Sequence, residues 1–573
     1  MRSKQRMVTV KPWLAGINNT EINHKLPDGA VCDALNVDFD NVGRAITRTG
    51  YGQTVAMDNG HSLATIGGKS LICRSGTLGV ITAVSPSLTI ADLRAGLPND
   101  PISYAALGGE VWWSNGTDSG RCNSNNTDAP WCVPTPADIV AVFAGAGTLP
   151  KGKYRVAISH VMTSGEESAA SPVVSFDLPA SGSLTVTLPA AKPGTDFFRI
   201  YCTIADGEII SHYSDVIAAA ASASITAAPQ GIALRERNNL APLPPGSAIA
   251  FHNGRLLSAS GRYLSVSEVW DFGLYDPLAN SFSLQDDITM LAPCEGGVFV
   301  GTTAATYWYG GNDIMESVVA EVLPCGAVKG TTFRHPDNKR VGWMTEDGFV
   351  IGAPDGSVSL PQRERGFVPP IADSYASTLV RTYRGVTQLV CSYISASYDS
   401  RVSESFERSR FRYDDDDSTV AMNLATGATS RYSNWHFNSC AQLIDGEYYG
   451  VDDVGMSLLT GHDDRLTEIN AVVDLGDVDF ETIGIKSPQY VYVGGKSSDK
   501  NIVTIFLANG DSYDYQARTF NEDRPELIRH DGMKGLMNLR QQWFDTVIRN
   551  NRGSWFEISS VQVLIWDSDR RIG

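Results

Sequence analysis

The feature that most constrains this chain is a turn-and-strand unit that recurs at long, regular spacing. Gly67-Gly68 precedes Lys69-Ser70-Leu71-Ile72-Cys73, and Gly108-Gly109 precedes Glu110-Val111-Trp112-Trp113. Asn253-Gly254 leads into Arg255-Leu256-Leu257, and Glu295-Gly296-Gly297 into Val298-Phe299-Val300. Asp347-Gly348 leads into Phe349-Val350-Ile351, and Asp445-Gly446 into Glu447-Tyr448-Tyr449. Each pair is a hairpin turn, with glycine taking the positive φ, running into an apolar strand. The step is 41 residues from Gly68 to Gly109, 43 from Gly254 to Gly297 and 51 from Gly297 to Gly348. The 98 residues from Gly348 to Gly446 span two such steps, with a weaker turn at Arg384-Gly385 between. Strand–turn–strand content at a period of about 40–50 residues is what propeller blades give. Unrelated hairpins in stacked sandwiches give the same pattern. Long helical periodicity is nearly absent, Met533–Phe544 being the best short helix, so the class is mainly β.

One interval breaks the spacing. Gly109 to Gly254 is 145 residues, and the surplus has a small-domain pattern of its own. Gly152–Ile158, Val173–Phe176, Leu184–Leu188 and Phe197–Tyr201 read as short strands, and Pro242-Leu243-Pro244-Pro245-Gly246 as a stiff exit linker. This predicts an immunoglobulin- or fibronectin-III-like sandwich inserted in a propeller loop. After residue 468 a new strand series runs from Ala471-Val472-Val473 to Val561–Trp566, read as a C-terminal β-sandwich with one short helix near 533–545. The expected organisation is an arm and first hairpin (1–55), the first part of a propeller (56–147), the inserted sandwich (148–240), the rest of the propeller (246–467) and the C-terminal sandwich (468–573).

Composition bounds the function. The 573 residues carry 46 Lys+Arg against 64 Asp+Glu, a formal charge of −18, which argues against a protein that binds nucleic acid by neutralising phosphates. It does not exclude a wall past which nucleic acid slides. Residues 1–11 are basic but lack the apolar run of a signal peptide, and the most apolar stretch, Val216–Ile225, is too short and Ala/Ser-rich to span a membrane. Nine cysteines, an odd number, read as reduced core thiols of a protein made in a cytosol. Cys122 and Cys132 flank an Asn/Ser loop, where a disulfide or metal site stands against the plainer reading of two unrelated thiols.

Chemistry is sparse. None of the nine histidines lies in His-Glu-x-x-His or at zinc spacing, and no nucleophile elbow, phosphate-binding loop or dinucleotide fingerprint is present. No catalytic residue, cofactor or metal ligand is assigned, and the chain is not expected to be an enzyme. The strongest charge cluster is Asp414-Asp415-Asp416-Asp417, which follows the mixed run Glu404–Arg412. It reads as a solvated loop, with a neighbour-subunit clamp or a calcium site as alternatives; the calcium-loop pattern is missing. Asp38 and Asp40 share one strand face, as a surface strand or, less simply, a metal site.

The N-terminal tract is more distinctive. It reads Gly16-Ile17-Asn18-Asn19-Thr20, then Leu26-Pro27-Asp28-Gly29-Ala30, Asn36-Val37-Asp38-Phe39-Asp40, and Gly43-Arg44 through Arg48-Thr49-Gly50-Tyr51. A second tract, Trp270–Gly311, holds Phe282–Thr289, Gly297–Thr302 and Tyr307–Gly311. Together these resemble the tail nozzle (tail tube) proteins of short-tailed bacteriophages, over residues 15–115 and 245–350. The resemblance implies a structural virion protein, assembled in the host bacterial cytoplasm, forming a ring of six subunits below the portal and adaptor. It implies DNA passing through the channel as transient cargo, attached fibres or spikes, and no membrane span. On that reading Trp13, Arg44 and Arg48 contact a neighbouring subunit or the adaptor, and Asp414–Asp417 face the lumen or a neighbour. The alternative is a receptor-binding spike or fibre with a carbohydrate-binding or hydrolysing propeller, which predicts trimers. A secreted adhesin fits less well without a signal segment.

Overall fold

Strands form where the β-branched and aromatic runs lie, and among the described residues of this computed structural model helix is confined to turns as short as Pro361–Glu364. The structure describes residues 4–567 other than 11, 23–24, 85–86, 138, 164, 193, 232–239, 370, 373–374, 394–395, 398–418, 479–483, 500, 507–511, 517–528 and 535–542. The chain divides into two compact units, one of residues 1–101, 294–311 and 318–573, the other of 102–293 and 312–317.

The recurring turns are hairpins of four-stranded antiparallel meanders. In the first unit one meander is Gly60–Ile66, Lys69–Arg74, Thr77–Ala83 and Thr89–Arg94, and another is Phe333–Arg334, Val341–Thr345, Gly348–Gly352 and Val358–Ser359. A third joins Ser439–Gln442, Tyr448–Val451 and Gly455–Leu458 to Gly52–Ala56 from the far end of the sequence. In the second unit the meanders are Ser103–Leu107, Glu110–Ser114, Ser119–Cys122 and Asp128–Ala129, then Ala248–His252, Arg255–Ser260, Tyr263–Val266 and Ser281–Ser283. Inner strands such as Val341–Thr345 and Gly348–Gly352 are wholly buried, which is why they read as continuous apolar runs. Blade-type sheets of this kind make the fold mainly β, of the β-propeller class. The described residues of the 98-residue interval after Gly348 do not form two blades. Ala376–Tyr383, Val386–Tyr393, Thr419–Asn423 and Thr429–Tyr432 belong instead to an eleven-stranded sheet.

The surplus interval in the second unit is a seven-stranded sandwich that begins at Val140. Val140–Leu149, Gly182–Thr187 and Ser222–Ile225 form one sheet; Val174–Leu178, Gly152–Met162, Thr195–Cys202 and Ser211–Ile217 form the other. Leu149, Leu184, Val186 and Ile225 from the first sheet share one buried cluster with Tyr154, Ile158, Phe198 and Ile200 from the second. Numbered in sequence, the sheets run 1-4-7 and 3-2-5-6. The immunoglobulin ABED/CFG arrangement would run 1-2-5-4 and 3-6-7, so that part of the expectation is corrected.

The C-terminal strands do not make a sandwich by themselves. In the first unit Phe556–Asp567 pairs with Lys486–Ser497 on one side and with the arm strand Lys4–Val10 on the other, in full register from Lys4–Asp567 to Val10–Val561. Val37–Phe39 and Ala45–Thr47 join that sheet, while Asp33–Leu35 lies between Thr429–Tyr432 and Val472–Val478 in the eleven-stranded one. The arm expected at 1–55 and the sandwich expected at 468–573 are therefore one body, with the boundary at 468 running through both sheets. Val561, Val563 and Ile565 are fully buried in it, each contributing about 1.5–3 kcal/mol by leaving water. The helix expected near 533–545 meets strand at both ends, in Arg529–Lys534 and Phe544–Arg549; residues 535–542 lie outside the described part.

Candidate functional site

The tract that stands out in the sequence folds inward. Asn36 is the corner at which the chain leaves one sheet of the sandwich and enters the other. Its φ of 54° is the left-handed conformation that asparagine tolerates. Its amide is saturated: Nδ2 donates to Ser433 Oγ (2.8 Å) and the Asn470 carbonyl (2.8 Å), and Oδ1 accepts from Arg48 Nε (2.8 Å) and the Ser433 N–H (3.0 Å).

Arg48, whose side chain is entirely buried, uses its guanidinium on every side. Nη1 and Nη2 form a fork onto the Asp464 carboxylate (2.9 and 2.6 Å) and also donate to the carbonyls of Thr49 and Ser433. A second buried guanidinium, Arg381, donates to Gln388 Oε1, Thr49 Oγ1 and the Tyr432 hydroxyl, and lies 3.4 Å from Asp38. The Tyr432 hydroxyl in turn donates to Asp38. Both guanidinium carbons stand 5.2–5.8 Å from the ring centres of Tyr432 and Trp435, so two cations face one aromatic pair. Burial pushes the Asp464 carboxyl up despite Arg48, and burial followed by the Asp38 charge pushes the Tyr432 phenol up.

The remaining motif residues are also used internally. Asn19 makes a two-way amide bond with the Val368 backbone (2.8 and 2.9 Å), and Asn18 Nδ2 donates to the Arg365 carbonyl. A side chain at Gly50 would place its Cβ 1.9 Å from the Asp463 carbonyl oxygen, so only glycine allows the two backbones to touch. Asp33 forms a fork with Arg431 (2.7 and 2.6 Å), and its opposite number across the strands, Asp474, lies hydrogen-bonded to Asp545. Burial, then the Asp545 charge, push Asp474 well above the ordinary carboxylate value.

Of the residues expected to meet a partner, Trp13 and Arg48 are interior. Trp13 packs on Phe39 with ring centres 6.5 Å apart and is 3% exposed, and Arg48 is enclosed as described. Neither presents itself to another molecule. Arg44 is part-exposed and bonds Asp40 and Glu557. Asp414, Asp415, Asp416 and Asp417 lie outside the described residues. Asp38 and Asp40 have separate partners, and among the described residues no group of three or more acidic, His or Cys side chains is arranged to hold a metal. All nine cysteines are free thiols, Cys122 and Cys132 included. The sequence reading missed Arg381, Tyr432, Trp435 and Asp464, which stand far from the motif and carry no local pattern.

No protein-family model and no curated protein matches the sequence. Among solved structures, the chain is similar to the WD40 β-propeller domain of Doa1, at 8% identity and a TM-score of 0.31, covering 72% of this chain and 96% of that one. It is also similar to a glycoside hydrolase family 43 arabinoxylan arabinofuranohydrolase from Bacillus subtilis, at 9% identity and a TM-score of 0.17, covering 67% and 94%. Likenesses this remote assign no activity. No described helix is long and apolar enough to cross a membrane.

Proposed function

We propose that the chain is a structural subunit of the tail nozzle of a short-tailed bacteriophage. In this reading six copies form a ring below the portal and adaptor, conduct and gate the genome during ejection, and anchor fibres. The observation that supports it is the use made of residues 15–51. The residues that carry the resemblance, from Asn18 to Tyr51, tie the arm to strands more than 300 positions away, which suits a wall that must hold its shape under strain. The chain is then not an enzyme. Its formal charge of −18 would make the ring a poor binder of phosphate, and so a low-friction conduit for DNA; salt screens that repulsion beyond about 8–10 Å.

Light scattering on the purified chain, with negative-stain images of tails taken from virions, tests this. A sixfold ring containing the chain is the expected result. Tails with no such ring would overturn the reading, and trimers would turn it toward the receptor-binding spike.

A further inference from the structure

The second unit carries an exposed tryptophan that is held unusually firmly. Trp270 is 71% exposed and has a φ of 59°, a conformation that bulky residues rarely adopt. Three restraints keep it there. Its N–H donates to the Gly254 carbonyl (2.9 Å), and Leu274 N–H to Asp271 O and Glu268 N–H to Leu274 O close the loop behind it. The indole lies against the Asn253-Gly254 turn, where an added Cβ would stand 3.3 Å from the ring. Its ring centre lies 5.9 Å from that of Phe272, and Phe272 continues into the part-buried Phe251 and the buried Trp112 and Trp131. Trp270 is thus the outer member of an edge-to-face aromatic cluster and is largely presented to solvent.

The turn against which the ring lies is flanked by polar groups. Asn253 Nδ2 donates to the Asn312 carbonyl, Arg255 forms a fork with Asp313, and Asn280 Nδ2 donates to Glu268. Burial raises the Asp313 carboxyl, but the Met315 N–H and Arg255 outweigh it and hold the group ionised. The guanidinium beside the turn, Arg255, is neutralised by Asp313, and the whole chain is net acidic. That balance disfavours phosphate headgroups, nucleic acid and acidic glycans.

We propose that Trp270 and these polar groups bind an uncharged hexopyranose of a polysaccharide, the C–H face of the sugar on the indole and its hydroxyls on the amide and carboxylate groups. A flat apolar ring on a turn flanked by hydrogen-bonding groups matches a pyranose, which has one apolar face and a polar edge. The loop is already ordered, so little conformational freedom is lost on binding. The site does not depend on the ring assembly and is testable on the free full-length chain.

The test is saturation-transfer NMR and calorimetry with neutral cello-, manno- and galacto-oligosaccharides, on the full chain and on W270A and W270F. At least one sugar should bind. W270A should weaken it roughly tenfold or more, the scale of one lost stacking contact, and W270F by a few-fold only. Thermal melting of both variants should match the parent, which separates loss of the platform from loss of the fold. Absence of binding to all three sugars, or equal binding by W270A, would overturn the proposal. So would a Trp270-dependent affinity for zwitterionic lipid vesicles without any for sugar.

Discussion

Arg48 shows how much one side chain can be asked to do. Its fork on Asp464 is out of water, and removing one partner of such a pair leaves an uncompensated buried charge. R48M should therefore lower unfolding free energy by about 3–5 kcal/mol, read from urea midpoints. The double variant R48M/D464L removes both charges and should recover part of that loss, though not all, because Asn36 Oδ1 and the Ser433 carbonyl each lose a donor. Equal midpoints for all three proteins would show that the pair holds nothing. Asp474 makes the opposite statement. Its folded value lies above its unfolded value of about 3.9, so between the two the native state holds a proton that the unfolded chain releases. Its contribution to stability is intact below that unfolded value and is lost as pH rises toward the folded value. D474N cannot titrate, so its urea midpoint should fall less than that of the parent between pH 4 and pH 8; parallel curves would refute this.

At the scale of elements, the sandwich of Val140–Ile225 has a core of its own, with Tyr154, Val156, Ile158, Phe198 and Ile200 all fully buried. A fragment of residues 137–228 should fold alone, with a β-type circular dichroism spectrum and one cooperative thermal transition; a broad, non-cooperative melt would show that it leans on its flanks. This element and the blades were legible in the sequence because their signals are local. A glycine turn and the two strands it joins lie within about twenty residues, and alternation marks the faces. The sandwich of the first unit was not legible, because Lys4–Val10 finds its partner at Val561–Asp567 and nothing near either segment names the other. Arg48 shows the same limit: an arginine in a turn motif reads as a surface contact, and the carboxylate that takes it inside is 416 positions away. The strand order of 140–225 was hidden too, since alternation tells which face a residue takes but not which strand lies beside it.

For the whole molecule, the acidic balance first reads as a statement against nucleic acid and then, in the proposed ring, as a property suited to letting DNA pass. The interleaving of the two ends of the chain in one sandwich has a further consequence, which concerns synthesis. Met7 and Val8 leave the ribosome first, while Leu564 and Val563, opposite them in the register, come more than 550 residues later. At about 5–20 residues per second, the arm waits roughly half a minute to two minutes for its partner strand. During that time Val8, Ile17, Val31 and Phe39, all destined for the core, lack the C-terminal strands that complete it. Such non-local pairing folds slowly and leaves strand edges open to other chains. Nascent copies made on one messenger would be the nearest such chains, so expression at low temperature with a holding chaperone should raise the soluble yield of the full chain far more than that of the 137–228 fragment, whose strands meet as they emerge.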